Sequence, residues 1–132
     1  MPAPLGTKPT KRMPDIQVFG LDDSRETRAA QRFFRERRVV VSYVDLRKRK
    51  LAPAELRRFT DRLGAAALLD ETSRAFREGG LGYLRMGDAD IARRLLADVH
   101  LLRLPLVRHG NEVTAGPAER TWAAWLKRAI GP

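Results

Sequence analysis

The chain reads as an α/β domain: a mixed four-stranded sheet in the order β-α-β, a helical insertion, then β-β-α. Three observations predict this. Residues 16–20 are a short apolar run and residues 39–45 a run rich in β-branched side chains, as buried strands require. Between them Ala29, Ala30, Phe33 and Phe34 recur at helical spacing, and a β-α-β unit of this length implies parallel strands joined by a right-handed crossover. Near the end, residues 104–108 and 112–115 flank His109-Gly110-Asn111, a hairpin signal, before a helix whose apolar face is Trp122, Trp125, Leu126 and Ile130.

The elements follow in order. Asp23 with Glu26 three residues later resembles a capping box, and Ser24 can also cap; the helix they open is expected to reach about Arg37. After the second strand come four cations, Arg47, Lys48, Arg49 and Lys50. A helix then starts with Pro53 in its first turn, shows Leu56, Phe59 and Leu63 on one face and closes at Gly64. Residues 65–69 and 73–82 read as short helices with turns. Asp88 begins a further helix with Ile91, Leu95 and Leu96 inward and Val99 near its end. Residues 53–100 thus form the helical insertion, and Pro117 is expected to open the last helix. The domain is expected over residues 15–130, behind a basic, proline-rich, disordered leader at 1–14 with no secretory signal.

At 132 residues the chain has the size of one domain with a single core, and no apolar run approaches a membrane span. A cytoplasmic location and a monomer are the default expectations. There is no cysteine, hence no disulfide, no thiolate nucleophile and no cysteine-based metal site. His100 and His109 are too few for a zinc site. The 26 basic residues against 16 acidic ones give a net charge of +10, which attracts acidic surfaces and, in a salt-sensitive way, nucleic acid. The abundance of arginine and alanine is also what a GC-rich genome yields without selection for binding.

Local motifs add a resemblance over about residues 16–127. The Phe19-Gly20 strand end and its loop into Ser24 form the first motif, and Tyr43-Val44-Asp45-Leu46 followed by basic residues the second. Leu68-Leu69-Asp70-Glu71-Thr72-Ser73-Arg74-Ala75-Phe76-Arg77 is the third, and Leu102-Arg103-Leu104-Pro105-Leu106-Val107 before the hairpin the fourth. In that order they resemble the arsenate reductase (ArsC)/Spx family of thioredoxin-like proteins. The resemblance implies a reactive cysteine at position 24, where this chain has Ser24. It implies an arginine directly before the proline, where this chain has Leu104 after Arg103. It also implies an arginine at the position of Thr72, with Arg74 close by, and one at Arg28, which is kept. Serine ionises far above neutral pH and forms no disulfide, so arsenate reduction by the family's route is not expected. An activated serine needs a base; no histidine adjoins Ser24 in sequence, and nothing in the sequence places His100 or His109 beside it.

Each candidate has a plain structural reading. Ser24 is most simply a helix cap; the functional reading is an anion or thiol pocket with Arg28, Arg103 and Pro105, glutathione being the one ligand the resemblance suggests. Pro105 resembles the cis-proline of thioredoxin-like folds and is first a structural turn. Arg47, Lys48, Arg49 and Lys50 are first a solvated loop and secondly a contact surface for an acidic partner. Spx-type proteins act by binding RNA polymerase, so the resemblance implies a protein partner of that kind. The expectation is therefore a redox-inactive, non-catalytic binding or regulatory module with a protein partner, no metal and no resident cofactor. The alternatives are a glutathione-dependent transferase or reductase in which Ser24 orients the thiol, and non-specific nucleic-acid binding.

Overall fold

The computed structural model describes residues 15–130; the leader expected at 1–14 lies outside them, as do the side chains of Ala129 and Ile130. Strand β1 (Ile16–Gly20) leads through a short loop into helix α1 (Arg25–Glu36) and returns as β2 (Val41–Asp45), parallel to β1 in the register Ile16 to Val41. Helices α2 (Pro53–Leu63), α3 (Arg74–Glu78) and α4 (Asp88–Ala97), with 3-10 turns between and after them, precede the hairpin of β3 (Leu106–His109) and β4 (Glu112–Ala115) and the final helix α5 (Glu119–Ile130). The sheet order is β2-β1-β3-β4, with β3 antiparallel to both β1 and β4. This is the mixed α/β sheet the sequence predicts.

Alternation along β1 feeds two cores, one on each face of the sheet. Ile16 and Val18 point to a core of Ala30, Phe33, Phe34, Trp122, Trp125 and Leu126, so α1 and α5 cover that face. Phe19 points to the other, with Leu56, Phe59, Leu68 and Leu95, so the inserted helices cover the opposite face. Phe19 and Phe59 meet edge to face with ring centroids 5.9 Å apart, tying α2 to the sheet.

Three local expectations are corrected. The cap of α1 is Ser24, whose Oγ accepts the Thr27 N–H at 3.1 Å; the box built on Asp23 does not form because Asp23 lies one residue too early. Strand β2 starts at Val41, two residues later than its β-branched run. Arg38 turns to φ 60° and the Val39 N–H bonds back to Phe34 O at 2.9 Å, so residues 37–40 form the helix exit. Helix α5 begins at Glu119, leaving Pro117 in the loop before it.

Candidate functional site

The site is built around the end of β1. An added Cβ at Gly20 would lie 2.4 Å from Thr27 Cγ2 and 2.5 Å from Thr27 Oγ1, so the missing side chain lets α1 settle onto the strand. Thr27 is fully buried, and its hydroxyl accepts the Leu21 N–H at 3.4 Å. The Ser24 N–H donates to Leu21 O at 3.0 Å, which tightens the loop and sets Ser24 at the mouth of the helix.

The facing wall comes from the insertion. Leu69 and Leu102 form an isolated antiparallel bridge, Asp70 N–H donates to Leu101 O and Arg103 N–H to Leu68 O, each at 2.8 Å. These bonds bring Asp70 and Thr72 beside Leu102, Arg103 and Leu104. The Leu104–Pro105 peptide is cis. The stem of Arg103 crosses Gly116 so closely that a Cβ there would lie 2.9 Å from both Cγ and Cδ, and Gly116 also has φ 80°. Between the two walls is a cleft of about 490 Å³, with Leu21, Ser24 and Arg25 on one side and Asp70, His100 and Arg103 among the residues of the other.

The sequence-predicted pocket residues are divided by this geometry. Ser24 and Arg103 line the cleft; Arg28 and Pro105 do not. Arg28 turns back and donates to Asp22 O at 3.0 Å, and Pro105 is buried beneath the loop with its carbonyl accepting the Gly116 N–H at 2.9 Å. Arg74 is spent on Glu78 at 2.9 Å and does not take the place of the arginine that Thr72 lacks. The cleft carries Arg25 and Arg103 against Asp23, Glu26 and Asp70, a mixed field rather than the cationic cradle a small oxyanion needs.

Two residues that sequence spacing had not brought here are Asp70 and His100. His100 shares the cleft with Ser24, contrary to expectation, because the Leu69–Leu102 bridge draws in the segment on which it sits. Its Nδ1 lies 3.2 Å from Asp98 Oδ1, but Ser24 makes no hydrogen bond to it, so the base contact of an activated serine is absent among the described residues. His109 stays at the far end of β3, stacked on Trp125 with ring centroids 5.6 Å apart. Among the described residues no cluster of three or more acidic or histidine side chains could hold a metal, and no helix is long and apolar enough to cross a membrane.

The basic loop is half neutralised. Arg47 pairs with Asp23 at 2.6 Å, and Arg49 grips Glu55 through two bonds of 3.0 and 2.9 Å. Lys48 and Lys50 form no ion pair among the described residues. Glu55 also accepts the Ala52 N–H at 2.8 Å; Ala52 offers no side-chain oxygen in return, so this is half a capping box. The Arg49 hydrogen bonds, the largest influence, hold the Glu55 carboxyl below its usual range. Its folded value being depressed, the stabilisation is present above the unfolded value near about 4.3 and disappears as pH falls through the lower folded one. The stability gap between the protein and Glu55→Gln should therefore narrow in urea titrations taken from about pH 7 to about pH 2.5. An unchanged gap at acid pH would mean that the ion pair contributes nothing.

A cleft at the carboxyl end of β1, bounded by a helix N-terminus and a cis-proline loop, on a sheet of order β2-β1-β3-β4, defines the thioredoxin-like fold of the arsenate-reductase type. Solved structures share it. One titled YffB (PA3664) protein superposes with TM-score 0.78 at 19% identity, over 84% of this chain and 98% of its own. An arsenate reductase from Vibrio cholerae gives 0.73 at 13% identity, over 85% and 98%. An arsenate reductase (ArsC) related protein from Brucella melitensis gives 0.65 at 16% identity, over 86% and 95%. At these identities the likeness is one of fold. Scans against protein-family profiles and against curated proteins find no match.

Proposed function

We propose that this chain is a divergent relative of the arsenate reductases that has left thiol redox chemistry and works by binding a protein partner. The observation that carries this reading is Ser24. It stands where the resemblance puts the attacking thiolate, its Oγ accepts the Thr27 N–H, no base among the described residues hydrogen-bonds to it, and the chain holds no cysteine to take over. Leu104 before Pro105 and the withdrawal of Arg28 onto Asp22 O support the same conclusion, since both take a cation away from the place where an arsenate would sit. The role fits a monomer in the cytoplasm, with no metal or resident cofactor.

A second reading has one specific observation behind it: the Ser24 hydroxyl proton has no acceptor among the described residues and is free to orient a thiol in the cleft. One experiment separates the two. Arsenate turnover is followed with glutathione and glutaredoxin present, and glutathione is titrated into labelled protein while amide shifts are recorded. The binding reading expects no turnover above buffer and no saturable shift at Ser24 or Leu102. Turnover abolished in Ser24→Ala would overturn it and install the glutathione-dependent enzyme instead.

A further inference from the structure

Strand β2 is an open edge, paired with β1 and, among the described residues, with nothing else. The Leu46 N–H donates to Gly20 O at 2.9 Å, which sets the phase of the ladder. By alternation, Ser42 and Val44 turn their backbone groups toward β1, and the N–H and C=O of Val41 and Tyr43 face outward. Natural edges are commonly blunted by lysine, proline or a bulge. Val41–Asp45 has none of these, and Val40 just before it is 76% exposed.

Helix α1 runs beside this edge. Positions 28, 31 and 35 follow helical spacing, so Arg28, Gln31 and Arg35 form one row on α1, and Arg38 follows in the helix exit. Gln31, Arg35 and Arg38 wall a groove of about 540 Å³ that Val41 and Tyr43 line from the strand side. The Tyr43 hydroxyl donates to Asp22 Oδ1 at 2.9 Å, and partial burial followed by that bond holds the phenol well above its usual value, so the groove's strand side stays uncharged. Arg35 and Arg38 are exposed and form no ion pair among the described residues, and Arg32 is exposed on the same helix. Unneutralised guanidinium charge therefore lies alongside unpaired strand backbone and an exposed valine.

We propose that the groove between α1 and β2 docks an acidic, extended segment of a partner protein. The segment adds to β2 as a further strand, and its carboxylates on the helix side meet Arg35 and Arg38. Outward N–H and C=O groups alternating over an apolar lining suit a peptide backbone. A nucleic-acid backbone has only acceptors to offer its charged side and leaves the strand N–H and C=O groups half unmatched. The proposal rests on the reading that the chain works by binding, and is independent of the Ser24 cleft.

The test uses a labelled peptide of alternating Glu and Val, about six residues long, the length of one strand. Its controls are an equally charged peptide with proline in place of valine and a random single-stranded DNA. Support is saturable binding with amide shifts at residues 40–45, absent for the proline peptide and weakened about tenfold in Arg35→Gln/Arg38→Gln. Both substitutions are on exposed side chains, and a circular dichroism melt checks that the variant folds. Equal binding of the proline peptide overturns strand addition, and tighter DNA binding at the same face assigns the surface to nucleic acid. Shifts at Ser24 and Leu102 instead move the partner to the cleft, leaving the binding function standing; no binding of any probe overturns the groove. Failure of the functional reading itself shows separately, as arsenate turnover.

Discussion

Trp122→Ala should lower the stability of the domain by about 3–5 kcal/mol, a large share of the 5–15 kcal/mol typical of a single domain. Trp122 is 1% exposed and joins three elements at once. Its ring centroid lies 5.5 Å from that of Phe33 and 5.3 Å from that of Phe34, so α5 is fastened to α1 through it. Its Nε1 donates to Thr114 Oγ1 at 2.8 Å, which fastens α5 to β4 as well. Alanine leaves a cavity among aromatic side chains that are themselves held in place by α1, so the walls have little room to close in. The measurement is the urea midpoint, read against Trp122→Phe, which keeps the aromatic contact and loses the hydrogen bond. A loss below about 1 kcal/mol for alanine would mean that α5 is not part of the cooperative core.

Gly20→Ala should cost about 1–3 kcal/mol although it adds a single methyl group. That group falls within 2.4 Å of Thr27 Cγ2, and Thr27 has no free space, being fully buried and β-branched within a helix. Relief requires α1 to lift from β1, which also moves Ser24 and the cleft it lines. Coupling is the sharper readout. Thr27→Ala removes both close atoms, so the double variant should be more stable than the sum of the single losses allows. Additive losses would show that the two positions do not press on one another.

The layout was legible in the sequence because its signals are local. The valines of β2, the Phe33-Phe34 stripe and the Leu56-Phe59 spacing each declare an element through the period of its buried side chains, and the turn at Gly110 declares the hairpin. The errors are of a different kind. Val39 and Val40 have strand-forming side chains but follow Arg38 at φ 60°, and a backbone bond to Phe34 outweighs propensity there. The cap went to Ser24 rather than Asp23 through loop geometry, since either residue type can cap.

The candidate site was half legible. Ser24 and Arg103 could be named because a motif carried them. His100 lay in no motif and Asp70 lay in one without a site role, because only the bridge between Leu69 and Leu102 brings them to the loop after β1. Arg35 was present on the helical spacing of α1, but periodicity says neither that Arg38 turns to the same groove after the helix ends nor that an open strand edge lies beside them.

The sequence by itself determined that this chain has no thiol, that its charge is strongly positive, and that two helices and two pairs of strands enclose a helical insertion. Tertiary structure alone decided which charges remain available. Arg47 and Arg49, prominent in the sequence as a run of cations, are taken by Asp23 and Glu55, and Arg28 is turned onto a carbonyl. Arg35, Arg38 and Arg103 keep no acidic partner among the described residues. The reason is the short reach of ion pairing in water: a charge is neutralised by a carboxylate within a few ångströms. Packing sets that distance, and composition does not.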